Sequence, residues 1–580
     1  MNDTDVPATP WLGSYPPGVP ATINPDEYRS LKDLLEHSMA KHHARPAYTS
    51  MGRTLLYADL ERMSADLAAW LQQAAGLSKG DRLAIMLPNV LQYPVSLVAA
   101  FRTGLTVVNT NPLYTPRELK AQLADSGARA IVILENFAHV LEEVIEDTAI
   151  ETVIVTGAGD LLGFPKAAMT NLVVRHVRRQ VPEWSLPGAM RFNEALSQGR
   201  YENRVLVELG PEDIAFLQYT GGTTGVAKGA VLTHRNIVAN VLQLESWFAP
   251  ALRDTEESTI VGALPMYHVF ALTQTLFFLD IGGGNLLIAN PRDFPAFVAE
   301  LKRNRFTFFS GVNTLFNALL NAPGFADLDF SHLRVSLGGG MAVQRAVAER
   351  WKEVTGNTLT EAWGLTETSP GATINRLDEQ GFTGSIGLPL PSTDISIRDD
   401  DGRPLPLGQS GEICVAGPQV MREYWKRPDE TAKVMLPGRV LRTGDIGHMD
   451  SRGHVYIDDR KKDMILVSGF NVYPNEVEGV VAEHPGVLEV AAVAQSDERA
   501  GEVVVLFVVR KDPALTEHAL IEHCRASLTG YKVPKRVYFR NELPKTNVGK
   551  ILRRALRDEL SQPAVARAGS VTSDVSTSSG

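Results

Sequence analysis

The sequence has little cysteine and no excess of basic residues. Its 580 residues include two cysteines, Cys414 and Cys524, which are too few for a disulfide framework and lack metal-site spacing. We expect both to be small packing or surface residues in a protein from a reducing compartment. The net charge of -10 favours solubility and argues against broad nucleic-acid binding.

Signals for export and for membrane spanning are also missing. The first 20 residues carry neither a basic nor an apolar segment, so we predict no signal peptide. The most lipid-like stretch, 260–279, is interrupted by Pro265, His268 and Gln274. Because polar residues and proline break it, a buried core segment is the better interpretation than a membrane span.

What is present is an ordinary globular composition, with 44% hydrophobic and 21% charged residues, in a chain too long for one core. Short apolar runs alternate with amphipathic helical patterns, such as the apolar stripe at 60, 63, 67 and 71. The runs that predict buried strands are 83–89, 130–135 and 212–220. This alternation predicts an α/β fold with largely parallel sheets.

Changes in composition divide the chain into a large and a small domain. We predict an extended N-terminal segment at 1–25, a large domain of mixed sheets and helices at 26–458, a hinge at 459–463, a smaller mobile α+β domain at 464–562 and a disordered tail at 563–580. From Cys524 to Arg557 the sequence has ten Lys or Arg residues and one acidic residue. This indicates either a solvated basic face or a small domain that closes over a polyanionic ligand.

A loop rich in glycine and threonine follows the strand at 212–220. Its backbone N–H groups, its hydroxyls and the Lys228 cation suit a triphosphate. Lys228 is followed by Gly229 and not by Ser or Thr, which disfavours a Walker A loop and a phosphate-loop NTPase. The candidate phosphate-binding residues are Thr220, Gly221, Gly222, Thr223, Thr224, Gly225 and Lys228.

The segment YTGGTTGVAKGAVLTHRN at 219–236 resembles the phosphate-loop signature of the adenylate-forming enzymes, which include acyl-CoA synthetases, luciferases and peptide-synthetase adenylation domains. Segments similar to further family motifs follow in the family's order, and the resemblance covers about residues 30–560. They are LPMYHVFAL (264–272), SLGGGM (336–341), EAWGLTET (361–368), GSIGLP (384–389), RTGDIG (442–447), DRKKDMILVSGFNVYPNEVE (459–478), LTGYKVPKRV (528–537) and PKTNVGKILRR (544–554). The hinge and C-terminal segments are most similar to those of bacterial long-chain fatty acid–CoA ligases.

The resemblance implies roles for individual residues. Lys550 matches the catalytic lysine, a cation that contacts the carboxylate and the α-phosphate together. Glu367 matches the Mg²⁺ ligand, with Thr220 as a second candidate, and Asp445 matches the acceptor of both ribose hydroxyls. Trp363 replaces the usual tyrosine beside the adenine, and its flat ring can still stack. The other residues implied around the nucleotide are Gly338, Gly339, Gly340, Gly364, Thr366 and Arg460.

The resemblance further implies an acyl site and a moving domain. His268 matches an active-site wall that orients the acyl group; without the motif it is an ordinary buried histidine. Since a fatty carboxylate is already ionised at pH 7, a general base is not needed. Lys462 matches the hinge, and Gly469 matches a channel for the CoA pantetheine after domain rotation. The candidate acyl-pocket residues, each also an ordinary core residue, are Val269, Phe270, Leu272, Gly311, Val312 and Leu315.

We therefore expect ATP-dependent activation of long-chain fatty acids to acyl-adenylates and transfer to CoA, with Mg²⁺ as cofactor. The alternatives are a fatty acyl-AMP ligase that loads a carrier protein and a medium-chain or aryl acid CoA ligase. A non-catalytic binding module is disfavoured because Lys550, Glu367 and Asp445 are all present.

We expect a cytoplasmic protein without a nucleic-acid partner, and a homodimer is an open alternative to a monomer. The segment 161–184 is basic and amphipathic. It favours either peripheral association with the inner face of an anionic membrane or an ordinary surface helix or linker.

Overall fold

The computed structural model describes residues 9–220, 227–252, 258–460, 463–468, 470–497, 499–546 and 549–561, with 459, 460 and 561 described in backbone only. The strands are β1 Pro46–Ser50, β2 Arg53–Leu56, β3 Arg82–Met86, β4 Thr106–Asn109, β5 Ala130–Leu134, β6 Thr152–Thr156, β7 Met190–Arg191, β8 Ile214–Thr220, β9 Lys228–Thr233, β10 Thr259–Gly262, β11 Gly284–Leu287, β12 Phe308–Gly311, β13 Val335–Gly338, β14 Leu359–Gly364, β15 Gly371–Ile374, β16 Leu388–Pro389, β17 Asp394–Arg398, β18 Gly411–Ala416, β19 Glu423–Tyr424, β20 Met435–Leu436, β21 Val440–Met449, β22 Val455–Arg460, β23 Ile465–Val467, β24 Phe470–Val472, β25 Val487–Asp497, β26 Gly501–Arg510 and β27 Arg536–Arg540.

The α-helices are α1 Leu31–Lys41, α2 Tyr57–Gln73, α3 Gln92–Thr103, α4 Pro116–Ser126, α5 Ala138–Glu142, α6 Lys166–Leu172, α7 Phe192–Gly199, α8 His234–Leu252, α9 Val269–Asp280, α10 Phe294–Arg303, α11 Asn313–Leu320, α12 Arg345–Thr355, α13 Pro428–Val434, α14 Pro474–Ala482, α15 Glu517–Ser527 and α16 Arg553–Ser561. Short 3-10 helices cover Pro10–Ser14, Glu135–Phe137, Ile145–Asp147 and Thr366–Thr368, and a π-helix covers Val173–Val177.

Two large sheets form the body of the first 460 residues. One has nine strands in the order β16-β15-β14-β13-β12-β10-β11-β1-β2, and the other has eight in the order β19-β9-β8-β4-β3-β5-β6-β7. Neighbours are parallel in the centre of both sheets, and antiparallel strands lie towards their ends. The predicted α/β class with largely parallel sheets is confirmed for these two sheets. Crossover helices pack on parallel sheets because both faces are apolar.

Two smaller sheets complete the described structure. An antiparallel sheet contains β17, β18, β21 and β20, with β22 paired to β21. The last sheet, of β24, β23, β26, β25 and β27, has its own apolar clusters on its two faces. The main core extends from Trp11 to Val455, and the first member of the C-terminal cores is Ile465. The cores therefore separate within the interval that contains the predicted hinge.

Sequence periodicity located several elements correctly. The apolar stripe at 60, 63, 67 and 71 lies within α2, and the runs at 83–89, 130–135 and 212–220 contain β3, β5 and β8. The lipid-like stretch at 260–279 forms most of β10 and α9, whose residues are largely buried in the core. Among the described helices none combines the length and apolarity that a membrane crossing requires.

The prediction of an extended segment at 1–25 is wrong for Pro10–Ser14, which form a 3-10 helix. Trp11 in this helix is buried in the main core. It packs directly on Gly453, where an added Cβ would lie 2.4 Å from the Trp11 Cα. Because this packing partner lies far along the chain, the local proline and glycine content could not reveal the turn.

Candidate active site

A cavity of about 930 Å³ lies where the carboxyl ends of β8, β13 and β14 meet β21 and the C-terminal domain. The carboxyl ends of parallel strands are the usual place for ligands in such sheets. Many residues singled out from the sequence line this one cavity. They are Thr220, Lys228, His268, Val269, Phe270, Gly339, Gly340, Trp363, Gly364, Thr366, Glu367, Asp445 and Lys550.

The C-terminal domain contributes Lys550 through a segment that we call the lysine loop (the described residues 545, 546 and 549–551). Lys545 and Ile551 pair across it as a β-bridge, and the Lys550 N–H donates to Thr546 Oγ1 at 3.0 Å. Gly549 has φ +82°, and a Cβ there would lie 3.0 Å from Thr314 Oγ1, so the tight contact with the large domain requires glycine.

The lysine reaches the glycine segment after β13. A Cβ added to Gly340 would lie 3.3 Å from Lys550 Cε, so the bare backbone of Gly340 makes room for the lysine. The large domain holds the lysine loop through Thr314 Oγ1, which donates to the Gly549 carbonyl at 2.9 Å. Asn317 Nδ2 likewise donates to the Leu488 carbonyl at 2.9 Å. Lys550 is therefore presented to the cavity by contacts between the two domains.

His268 is the N-cap of α9 and faces Lys550. Its Nδ1 accepts a hydrogen bond from the Phe270 N–H at 3.3 Å, which leaves Nε2 as the protonated nitrogen and a donor. Burial, with a smaller contribution from the Lys550 charge, lowers the pKa of His268 to about 3. The imidazole is therefore neutral at physiological pH and is a weak base, in line with an orienting role for a carboxylate.

Asp445 on β21 is buried at one end of the cavity. Its backbone pairs with that of Arg460 on β22, and its Oδ2 accepts a hydrogen bond from Trp363 Nε1 at 2.9 Å. The indole is thereby fixed on the cavity wall beside Asp445, which lines the same cavity. A carboxylate beside a flat aromatic ring suits a ribose next to a base.

A polar cluster at the other end of the cavity contains Glu367, Tyr424 and Lys228. The Tyr424 hydroxyl donates to Glu367 Oε1 at 2.6 Å, and burial together with Glu367 raises the pKa of Tyr424 well above its ordinary value. Lys228 forms an ion pair with Glu430 and lies 5.3 Å from the Tyr424 ring centre. Hydrogen bonding to Lys228 lowers the pKa of Glu430 to about 2.

The oxygen donors at this end fit Mg²⁺ in the company of phosphate. Glu367, Thr220 and Thr366 all line the cavity there. Within the part of the chain that the structure describes, no group of three or more His, Cys, Asp or Glu residues forms a metal site by itself. Because Mg²⁺ retains water and takes substrate phosphate oxygens, one carboxylate with neighbouring hydroxyls suffices.

The predicted acyl pocket stays a prediction, and its six residues differ in their position relative to the cavity. Val269 and Phe270 line the cavity, whereas Leu272, Gly311, Val312 and Leu315 are not among its lining residues. Leu272 is fully buried in the main core. Val312 packs with Leu315 and Phe270 in a small apolar cluster, and a Cβ added to the cavity residue Gly340 would lie 3.6 Å from Val312 Cγ1. Gly311 lies against Phe316. Contact of these residues with an acyl chain stays a prediction.

Other predicted site residues lie elsewhere or outside the described residues. Gly338 ends β13 but packs against Val343, whose Cγ2 would be 2.6 Å from an added Cβ. Arg460 ends β22, described in backbone only. The predicted phosphate-loop residues Gly221, Gly222, Thr223, Thr224 and Gly225, the predicted hinge residue Lys462 and the predicted channel residue Gly469 lie outside the described residues.

Sequence reasoning missed several residues of the cavity. Tyr424, which lines the cavity and donates to Glu367, was not considered, and neither was Glu430, which is not a lining residue but pairs with Lys228. Leu244, Gln274 and Ile374 also line the cavity. A tyrosine in a two-residue strand or a glutamine in an apolar run has no distinctive local pattern, so only the folded arrangement identifies these residues.

Comparison with known proteins agrees with this geometry. The sequence profile described as AMP-binding enzyme matches residues 35–425, and the AMP-binding enzyme C-terminal domain matches residues 476–550. A long-chain-fatty-acid–CoA ligase of Escherichia coli O6:H1 is 56% identical over 550 residues, covering 95% of this chain and 98% of the relative. A feruloyl-CoA synthase of an Amycolatopsis species is 34% identical, covering 87% and 94%.

A solved structure shares the fold. The anthranilate CoA ligase in complex with anthranoyl-AMP superposes with a TM-score of 0.82, covering 94% of this chain and 100% of that one, at 23% identity. Both halves of the chain thus match the same architecture of a large domain and a smaller C-terminal domain. With the profile match over most of its length and relatives above 50% identity, this chain belongs to the family of AMP-binding, adenylate-forming enzymes.

Proposed function

We propose that this protein is an ATP-dependent long-chain fatty acid–CoA ligase. The observation that carries the proposal is the single cavity in which a lysine, a neutral histidine, a nucleotide-sized polar wall and apolar residues converge. The 56% identical relative, which aligns over 98% of its own length, supports the same reaction and substrate class.

In the first half-reaction, a fatty carboxylate oxygen attacks the α-phosphorus of ATP. The new P–O bond forms as the bond to pyrophosphate breaks. In this proposal Lys550, which lines the cavity, contacts both anions, and the Nε2–H of His268 donates to the carboxylate. Fixed donors and cations in a site shielded from water stabilise the charge that develops at phosphorus.

Nucleotide positioning falls to the polar ends of the cavity. Asp445 accepts hydrogen bonds from the ribose hydroxyls, and Trp363 stacks against the base. Thr220, Lys228 and Thr366 contact the phosphates, and Glu367 would hold Mg²⁺, which would neutralise phosphate charge. For Lys228 this requires exchange of its Glu430 partner for a phosphate oxygen.

In the second half-reaction, the CoA thiolate attacks the acyl carbon and AMP leaves with the bonding electron pair. The thiol needs space beside the acyl carbon, where Lys550 lies in this arrangement. We therefore propose that the C-terminal domain rotates about the segment containing Lys462 and that Gly469 then lines the pantetheine path.

The test is a product assay with matched omissions. Purified protein, ATP, Mg²⁺ and saturated fatty acids of increasing length should give acyl-CoA, AMP and pyrophosphate in equal amounts. Without CoA, only bound acyl-adenylate and pyrophosphate should form. A carrier-protein ligase would form no acyl-CoA when CoA is supplied, and a medium-chain or aryl acid ligase would prefer short or aromatic acids.

We further propose peripheral attachment to an anionic membrane through the apolar-basic helix, defined as residues 164–179. Its large apolar side chains face solvent: Phe164 is 92% exposed, Val177 68% and Met169 65%. Arg178 and Arg179, also exposed, follow directly. Exposed apolar residues beside cations match the interface between acyl chains and anionic headgroups.

Vesicle sedimentation tests this attachment. Replacing Met169 and Val177 by Asp should release the protein from anionic vesicles and leave activity on dissolved substrate unchanged. The matched control is Leu206→Asp, which changes another apolar side chain, 77% exposed, outside this helix. Equal vesicle binding by both variants would contradict the proposal.

A cytoplasmic location is proposed from the two cysteines. Both are buried and free, and burial raises the pKa of each thiol to about 11, which keeps them unreactive. A homodimer stays a prediction, which light scattering of the purified protein tests.

A further inference from the structure

Gln274 presents a buried side-chain amide to the cavity. The residue is 3% exposed and lines the cavity, and within the described part of the chain neither its Oε1 nor its Nε2 has a hydrogen-bond partner. We propose that Gln274 is a specificity-determining residue that binds a hydroxyl group carried part of the way along the acyl chain. This inference rests on the proposed function, because it requires the acyl chain to occupy this wall.

The other buried amides on the cavity wall are satisfied by the protein. Asn109 donates to Gln218 at 2.9 Å, and Gln218 donates to the Tyr267 carbonyl at 2.8 Å. Asn240 both donates to and accepts from the backbone of Gly371, at 2.9 and 3.0 Å. Buried amides are normally paired because an unpaired one loses its hydration without compensation. Gln274 is thus set apart from three amides that share its cavity.

The position of Gln274 along α9 places it away from the reacting atoms. The helix begins after His268, beside Lys550, and six residues at 1.5 Å each put Gln274 about 9 Å further along the axis. Phe270 and Gln274 are four residues apart and share one helix face. A chain that starts at His268 and passes Phe270 therefore reaches Gln274 several methylene groups from its carboxylate.

Apolar side chains share the cavity wall with Gln274, among them Leu244 of α8 and Ile374 of β15. The adjacent residue of α9, Thr273, donates through Oγ1 to the Ser369 carbonyl at 2.7 Å. This bond ties the turn of α9 that carries Gln274 to the segment leading into β15. An amide at one fixed position of the helix selects the substrate at one point of its length.

The chemistry of the amide points to a hydroxyl group. The NH₂ of the amide donates and its carbonyl accepts. A hydroxyl is a small group that can accept from the NH₂ and donate to the carbonyl. An unsubstituted methylene chain covers the amide and leaves both atoms unpaired. We therefore expect the enzyme to accept plain acids while favouring chains that carry a hydroxyl at the depth of Gln274.

The first test uses the wild-type protein. The kcat/KM for acyl-CoA formation is measured for a plain saturated acid and for acids of the same length with the hydroxyl moved along the chain. We expect a maximum at one mid-chain position, about tenfold above the positions several carbons away. A kcat/KM that is lower for the hydroxylated acid than for the plain acid at every hydroxyl position would overturn the inference. Failure to activate even the plain acid would instead contradict the proposed function.

The second test uses Gln274→Met, which keeps the length of the side chain and removes the amide. The preferred hydroxy acid should lose at least about tenfold in kcat/KM relative to the plain acid. Leu244→Met, on the same wall, should change both substrates in parallel. An unchanged ratio of kcat/KM between the hydroxy acid and the plain acid in Gln274→Met, with the plain acid still activated, would show that the amide does not bind the hydroxyl group.

Discussion

His268 illustrates how burial assigns a role to a single side chain. A histidine within an apolar run is ambiguous in sequence, since it is equally compatible with a core group and a catalytic base. In the folded protein its Nδ1 is occupied by the Phe270 N–H, and burial lowers its pKa to about 3. What is left is a fixed, neutral donor beside Lys550, which suits an ionised carboxylate and not the removal of a proton.

The same pKa predicts how stability depends on pH. Between pH 6.5 and 3 the unfolded chain binds a proton at His268 that the folded chain does not. The free energy of unfolding therefore falls as the pH is lowered through this window, by up to about 1.4 kcal/mol per pH unit from this group. His234, fully buried with a pKa of about 3, acts in the same direction.

Denaturant unfolding at several pH values checks this prediction. Between pH 6.5 and 3 the free energy of unfolding of His268→Gln should fall less steeply than that of the wild type. The two slopes should differ by at most the contribution of one bound proton, about 1.4 kcal/mol per pH unit. A slope identical to the wild type would show that His268 titrates normally in the folded protein.

Trp363 carries a second prediction at this scale. Trp363→Phe keeps a flat ring but removes the Nε1 donor that holds Asp445. The KM for ATP should rise about fivefold, since one hydrogen bond is worth about 1 kcal/mol, while the KM for fatty acid stays unchanged. Initial rates with each substrate varied in turn measure both constants. A rise in the fatty acid KM alone would place the indole in the acyl site.

At the scale of elements, α11 joins the large domain to the C-terminal domain. Its Leu315, a predicted acyl-pocket residue, packs in an apolar cluster with Phe270. Thr314 and Asn317 donate hydrogen bonds to carbonyls of the C-terminal domain. This contact could not be read from the sequence, because the two domains are brought together only by folding.

Weakening this contact should affect one half-reaction. Thr314→Val removes the donor to the Gly549 carbonyl, which helps to hold the lysine loop over the cavity. We expect adenylation, measured by pyrophosphate exchange, to fall about fivefold, equivalent to about 1 kcal/mol. Acyl transfer from supplied acyl-adenylate should be unchanged.

The matched control is Thr148→Val, which likewise removes a hydroxyl donor to a backbone carbonyl, that of Ile145 at 2.8 Å, within the large domain. It should leave both half-reactions intact. If Thr314→Val reduced both half-reactions equally, the contact would serve general stability and not the placement of Lys550.

Prediction from sequence was most successful where a property is local. Period and apolar runs located α2, β3, β5 and β8, and motif resemblance located Lys550, Glu367 and Asp445 on one cavity. It failed where the deciding neighbour is distant in the chain. The short helix at Trp11 is explained only by its packing against Gly453. Gln274 is unusual only because the other buried amides of the cavity have hydrogen-bond partners and its own amide has none within the described residues.

At the scale of the whole molecule, the two domains share one site. The large domain supplies the nucleotide and acyl walls, and the small domain supplies Lys550 together with Lys545, Thr546 and Leu552. The presence of Lys550 at the cavity matches the arrangement that we propose for adenylation. The proposed rotation between half-reactions would give the thiol access to the acyl carbon, and the hinge at Lys462 stays a prediction.

The most direct measurement is the rate of each half-reaction in Lys550→Ala, with Lys545→Ala as the control from the same loop. Lys545 also lines the cavity but is paired with Glu489 at 2.6 Å. Removing Lys550 should lower adenylation by at least about 10²-fold, in line with the loss of a transition-state donor. Transfer to CoA from supplied acyl-adenylate should stay near the wild-type rate, and Lys545→Ala should be affected far less. An equal loss in both half-reactions of Lys550→Ala would contradict the assignment of this lysine to adenylation.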